Sequence, residues 1–279
     1  MNRFARMLLT PLLMLSMLSS CAAAETRALF MNVRKADAAL IEVDGTRWLV
    51  DTGHKDSFEQ LEKVLKVHGV DHVDGIIITH TDKDHVGGLK KLLKGGFKAD
   101  MLYASALHSE KSSEDHPVYE ASEKYGVPVT WLKAGDVIEA GSAQFRVLGP
   151  LRKDPDKENN NSLVMHLVTQ DGSMLLTGDM ELPEEADLLN AGLIPKADIL
   201  KVPNHGEEDA TGEQFALTVQ PKWAIISTNT DDEPDTPDPK VIKRLTKARA
   251  NMAVTQDAEV GILVILKNGK LDVQAINWQ

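Results

Sequence analysis

The run Thr79-His80-Thr81-Asp82-Lys83-Asp84-His85-Val86-Gly87-Gly88-Leu89 packs two imidazoles and two carboxylates into one short loop. Histidine nitrogens and aspartate oxygens together suit borderline and hard divalent ions such as Zn²⁺, Mn²⁺ or Fe²⁺. The loop follows Ile76-Ile77-Ile78, an apolar β-branched run that reads as a buried strand, and its Gly-Gly pair lets backbone close around a site. Such groups have little reason to crowd at a strand end except to hold a cation. Other apolar runs also end on polar residues: Leu49-Val50-Asp51, Leu175-Leu176-Thr177-Gly178-Asp179 and Lys201-Val202-Pro203-Asn204-His205-Gly206. Asn159-Asn160-Asn161-Ser162 leads into a further run, Leu163-Val164. Taken alone, Asp51 and Asp179 would pass for turn residues and the triple Asn for a loop.

The elements that must position these residues follow from periodicity. Short β-branched or apolar runs predict strands over 28–33, 39–43, 47–50, 75–79, 101–104 and 128–132. Helices are expected over 56–67, with Phe58, Leu61, Val64 and Leu65 on one face, and over 86–93, ended by Gly95-Gly96. The second half resumes the pattern, with strands over 143–148, 162–169, 173–177, 199–202 and 223–227. Helices are expected over 183–190, near 212–219 and over 239–248, and a hairpin around Lys267-Asn268-Gly269 closes the chain. Strands and helices in two similar halves fit two packed sheets covered by helices, although periodicity alone allows other α/β arrangements.

His80-x-Asp82-x-Asp84-His85 resembles the signature loop of the metallo-β-lactamase superfamily, usually written HxHxDH, with Asp in place of the second His. That variant is similar to the ComEC-like subgroup, named for the extracellular domain of a competence DNA-uptake protein. The likeness covers nearly all of the chain after its N-terminal segment. It implies an α/β (α+β) fold, the four-layer αββα metallo-β-lactamase sandwich, with metals at one edge between the sheets. It further implies one ion held by His80, Asp82 and Asn161, and a second by Asp84, His85 and His205. Asp179 would bridge them, as two cations about 3.5–4 Å apart require an anion between them. Asp51 would orient the loop, His54 would lie beside the site, and Asp84 would be the catalytic residue that orients the attacking water. Two departures stand out. Asn204 occupies the place of the first of a His pair, and Thr236-Pro237-Asp238-Pro239 that of a His-Pro-His-Pro segment. Asp235 or Asp238 is then either an oxygen donor or part of a surface turn. His68, His72, His108, His116 and His166 read as surface or packing residues.

Composition bounds the rest. With 279 residues and 42% hydrophobic content, the chain can bury one large core or two small ones. Residues 1–20 read as a signal peptide of lipoprotein type: a basic Asn2-Arg3-Phe4-Ala5-Arg6, an apolar stretch over 7–18, and Leu18-Ser19-Ser20-Cys21 resembling a lipobox. Cys21 would then be acylated; ordinary cleavage near Ala22-Ala23-Ala24 is the rival. Either reading predicts export, to the periplasm or as an outer-membrane-anchored lipoprotein, with the hydrolase domain over 26–279. Cys21 is the only cysteine, so no intramolecular disulfide is possible. A net charge of −11 argues against an extended DNA footprint and for a small-molecule or nucleic-acid-end substrate.

Together these features predict an exported hydrolase that uses two divalent ions, Zn or Mn, to activate water against a phosphodiester of DNA or a nucleotide. The alternatives are an ester, lactone or β-lactam hydrolase of the same fold, and a degenerate, non-catalytic binding protein of the envelope.

Overall fold

Alternation is plainest at 143–147, where Ala143, Phe145 and Val147 are buried and Gln144 and Arg146 reach solvent. That two-residue period marks a strand with one packed face. Gly75-Ile76-Ile77-Ile78 is instead buried at every position, as a strand covered on both faces must be. A computed structural model describes residues 25–109 and 112–278. The expected signal peptide and Cys21 lie outside the described residues. Among those residues, no helix is long and apolar enough to cross a membrane.

The chain begins β1 (Glu25–Met31), β2 (Ala39–Val43), β3 (Thr46–Val50), α1 (Phe58–Val67), β4 (His72–Val73) and β5 (Gly75–Ile78). It continues α2 (Lys83–Val86), α3 (Leu89–Lys94), β6 (Lys98–Ala99), β7 (Leu102–Ser105), α4 (Pro117–Tyr125) and β8 (Val129–Leu132). Next come β9 (Val137–Ala140), β10 (Ala143–Gly149), β11 (Val164–Val168), β12 (Ser173–Leu176), α5 (Leu182–Asn190) and β13 (Ile199–Lys201). The last elements are α6 (Glu213–Val219), β14 (Trp223–Ile226), α7 (Pro239–Lys247), β15 (Asn251–Val254), β16 (Gly261–Lys267) and β17 (Lys270–Ile276).

Two large sheets result, in the orders β17-β16-β1-β2-β3-β5-β7-β8 and β15-β14-β13-β12-β11-β10-β9. Three apolar cores separate four layers. Phe30, Ile41 and Trp48 of the first sheet meet Phe145, Met165 and Ile225 of the second in the central core. Leu61, Leu65, Leu89 and Leu92 cover the outer face of the first sheet, and Leu188, Phe215, Val219 and Leu245 that of the second. Each fully buried side chain of this size contributes about 1.5–3 kcal/mol. This is the αββα sandwich.

In both sheets the strands that lead into the polar loops run parallel. β3 pairs with β5, and β12 with β13, so their carboxyl ends emerge at a common edge. Loops beyond the carboxyl ends of parallel strands are where α/β folds bind ligands.

Two departures from expectation concern the sheet order and the helix after the His80–His85 loop. The sheets are not two similar halves, because the C-terminal hairpin joins the first sheet, β16 pairing antiparallel with β1 from Glu25↔Lys267 to Met31↔Gly261. The helix expected over 86–93 is instead two short helices broken at Gly87-Gly88. The carbonyl of His85 accepts from Thr52 N (2.7 Å) and Thr52 Oγ1 (2.9 Å), so a neighbouring loop takes the acceptor that Leu89 would need. A Cβ on Gly88 would lie 2.1 Å from the Thr52 carbonyl oxygen. Gly88→Ala is therefore expected to destabilise the protein by about 1–3 kcal/mol or more, seen as a lower Tm; an unchanged Tm would contradict the close approach.

Candidate metal centre

Four strand ends build the centre. Asp51 follows β3 in a left-handed conformation, φ 60°. Its Oδ1 accepts from Thr79 N, and its Oδ2 accepts from Thr79 Oγ1 and from His85 Nδ1, all at 2.8 Å. Because the Thr79 hydroxyl gives its proton to Asp51, the His80 Nδ1 at 3.2 Å from that oxygen must be the donor between them. His205 Nδ1 lies 2.8 Å from the Ser227 carbonyl and must likewise donate. Each ring is thereby set with Nδ1 protonated, which leaves Nε2 as the lone pair in the neutral imidazole. The turn that delivers His205 is strained, with Asn204 at φ 46° and His205 at φ 51°. Such positions cost on the order of 1–3 kcal/mol each.

The three Nε2 atoms of His80, His85 and His205 are buried without a hydrogen-bond partner, as is Asp179 Oδ1. They converge on carboxylates. Asp179 Oδ2 lies 3.1 Å from His85 Nε2, 3.2 Å from His205 Nε2 and 4.0 Å from His80 Nε2. Asp84 Oδ2 is 3.2 Å from His205 Nε2, and the half-exposed Asp82 is 3.7 Å from His80 Nε2. Asp84, His85, Asp179 and His205 each offer a ligand atom within 4.8 Å of the others. None of these close approaches is aligned as a hydrogen bond. Lone pairs and carboxylates meeting in this way form a donor set for divalent cations.

The electrostatics agree. Burial opposes charge on His85, but Asp179 and Asp51 outweigh it and hold its imidazole well above the usual range. Burial likewise opposes charge on His205, yet Asp179 and Asp84 push it up to about 10. For Asp84 and Asp179 the burial penalty is outweighed by these same histidines, which hold both carboxyls below the ordinary value. The cluster attracts positive charge, and protons and metal ions compete for it.

Other expected residues lie elsewhere. Asn161 does not join the cluster: its Oδ1 accepts from Asp154 N (2.8 Å), and its Nδ2 donates to Asp154 O (2.8 Å) and Glu158 Oε2 (3.1 Å). Its carboxamide braces a loop, and the expectation of a ligand there is corrected. Asp238 caps α7 by accepting from Lys240 N at 2.6 Å, and Asp235 is exposed, so this segment is a turn. His54 lines an open cleft with Arg34, Lys35, Lys83, Asp84 and Asp232, beside the cluster. His116 caps α4 and packs on Trp131, where burial and then His108 lower it to about 4.

The sequence reading missed Asp37 and Lys201. The Lys201 ammonium, buried behind the cluster, lies 2.7 Å from Asp37 Oδ2, which is 3.9 Å from His85 Nδ1. Asp37 lies between the strands expected over 28–33 and 39–43, and Lys201 in a run read as apolar; only their meeting gives them a role. Lys201→Met is expected to cost about 3–5 kcal/mol, because it strands a buried carboxylate. The Asp37→Asn/Lys201→Met double variant should be less destabilised than the sum of the singles, as measured by denaturant unfolding.

A family model described as "Metallo-beta-lactamase superfamily" matches residues 31–228. ComE operon protein 3 of Bacillus subtilis (strain 168) is 33% identical over 245 residues, which are 81% of this chain and 31% of that protein. Recombination protein 2 of Haemophilus influenzae (strain ATCC 51907 / DSM 11121 / KW20 / Rd) is 28% identical over 238 residues, 82% of this chain and 28% of that protein. The chain thus spans less than a third of the length of these two relatives. A solved structure of a diphosphatase from the PhnP family superposes with a TM-score of 0.56 at 14% identity, covering 87% of this chain and 98% of that one; at that identity it speaks for the fold alone. The family match extends over more than half of the residues, from β1 to just beyond β14, and the chain belongs to the metallo-β-lactamase superfamily.

Proposed function

We propose that this protein is a hydrolase dependent on two divalent metal ions, acting on phosphodiesters of DNA ends or nucleotides. The observation that carries the reading is the convergence of three unpartnered Nε2 lone pairs on Asp179 and Asp84. His80, Asp82 and Asp179 would hold one ion, and Asp84, His85, His205 and Asp179 the other. Divalent ions bound there supply Lewis acidity and lower the pKa of water towards about 7. Oxygen donors make up so much of the set that Mn²⁺ is a credible occupant beside Zn²⁺.

The chain's own residues do the rest. Asp51 and the Ser227 carbonyl fix the imidazoles before any substrate arrives. Asp84 reaches both the cluster and the open cleft, so its carboxylate is placed to accept a hydrogen bond from a water molecule and aim it. Arg34, Lys35 and Lys83 line that cleft; Arg34 is paired with Asp232 and Lys35 with Glu207, and these cations could turn to a phosphate. A nucleic-acid substrate is also supported by the relative named Recombination protein 2. The net charge of −11 favours a short or small substrate over long duplex DNA. Export through residues 1–20, with acylation of Cys21, belongs to the same proposal.

A second reading, a degenerate binding protein of the envelope without catalysis, draws on Asn204. Its Nδ2 donates to Asp209 Oδ1 at 2.9 Å, so the place of one family histidine is given to bracing a turn.

Purified protein supplied with Mn²⁺ or Zn²⁺ is expected to hydrolyse bis(p-nitrophenyl) phosphate and short single-stranded DNA, with His85→Ala inactive. Asp51→Asn should weaken metal binding by roughly 10–100-fold, since it frees the ring that it orients. Hydrolysis of a chromogenic β-lactam alone would overturn the phosphodiester reading, and fewer than one ion per chain would favour the binding protein.

The site also sets a pH dependence. In chelator-treated protein, the raised His205 contributes stability that is complete below about pH 6.5 and lost as pH rises through about 10, and His85, held well above its usual range, adds to it in the same direction. Reconstituted protein should keep its Tm over that window, because metal binding displaces those protons. Identical pH slopes with and without chelator would contradict a metal site here.

A further inference from the structure

A second polar pocket lies apart from the histidine cluster, between the loop over 150–161 and the first turn of α5. Leu151, Arg152, Asp154, Asn160, Glu184 and Asp187 line it. Glu184 is only 3% exposed, and neither of its carboxylate oxygens has a hydrogen-bond partner. Asn160 is 4% exposed with its Oδ1 equally unpartnered, its Nδ2 being committed to Asp154 Oδ2 at 3.0 Å. Three buried acceptors therefore border one small space without a donor. Arg152, the cation in the lining, is turned to Asp187 Oδ2 at 2.6 Å. An unpaired buried carboxylate is among the costliest groups a fold can carry. The backbone nonetheless makes room for it, since a Cβ on Gly149 would lie 2.9 Å from Glu184 Oε1. Burial, followed by Asp187 and Glu185, pushes the Glu184 carboxyl well above its usual range, so the pocket calls for positive charge.

We propose that this pocket binds one hard cation, Ca²⁺ above all, through the Glu184 carboxylate and Asn160 Oδ1, with Asp154 and Asp187 beside it. The donors are all oxygen and include no imidazole, which selects Ca²⁺, Mg²⁺ or Mn²⁺ over Zn²⁺. Ca²⁺ tolerates a mixed carboxylate and carboxamide shell completed by water better than the others do. The position suggests the purpose. Glu158, in the same loop, accepts from Thr81 N (3.2 Å) and Thr81 Oγ1 (2.9 Å). A cation that fixes Asn160 also fixes the residue bracing the His80–Asp82 turn. This role stands whatever the hydrolysed substrate is.

Protein loaded with Zn²⁺ and titrated with Ca²⁺ by calorimetry is expected to bind one Ca²⁺ per chain. Its Tm should rise by roughly 5 °C at a hundredfold excess over Kd. Glu184→Gln should weaken this binding on the order of 100-fold and abolish the shift, whereas His85→Ala should retain it. If Glu184→Gln does not fold, Asn160→Ala serves in its place. Absence of saturable Ca²⁺, Mg²⁺ or Mn²⁺ binding beyond the histidine cluster overturns the proposal, as does binding that survives both substitutions. A Glu184→Gln protein more stable than the parent at neutral pH, with no ion bound by either, would show that the pocket holds a proton instead.

Discussion

The Asp51 carboxylate receives three hydrogen bonds of 2.8 Å, two from Thr79 at the end of β5 and one from His85 in α2. Two of the three imidazole lone pairs owe their direction to it, His85 directly and His80 through the Thr79 hydroxyl. The residue sits at the end of β3 with a left-handed backbone that few side chains accept. A strained turn, a buried carboxylate and a fixed imidazole tautomer are thus one arrangement seen three ways. Its cost is met by the packing of the parallel strands beneath it.

Charge is the second constraint. Asp37, Asp51 and Asp179 are buried at this edge, with Asp84 beside them half-exposed. Among the described residues Lys201 is the one buried lysine, and it reaches from the second sheet to Asp37 on the first. The two halves of the sandwich are therefore joined by attraction across the interface as well as by apolar contact. Carboxylates outnumber that ammonium, and the excess is what makes the edge a receptor for cations.

Much of this was legible in the residues. The alternation over 143–147, the all-apolar Ile76-Ile77-Ile78 and the polar residues that follow strands predicted strands with polar groups at their ends, which fitted two packed sheets without requiring them. The resemblance in the His80–His85 loop supplied the layering. What the sequence concealed depends on tertiary neighbours. The break at Gly87-Gly88 arises because Thr52 captures the His85 carbonyl, and a local helical pattern cannot report a distant loop. Asn161 looked like a donor entering a strand, but its amide is satisfied by Asp154 and Glu158 within its own turn. The four-residue strands β9 and β15 were not among the expected elements; they are held by pairing with β10 and β14.

The pairing of β1 with β16 joins residues 230 to 242 positions apart. The outer edge of β1 stays bare until β16 has been synthesised, and closing so long a loop is entropically slow. Until then a nascent chain exposes an unpaired, apolar strand edge, the kind of surface that recruits chaperones or nucleates aggregation. The last hairpin acts as a clasp, and truncating it would leave the opening strand available to other molecules.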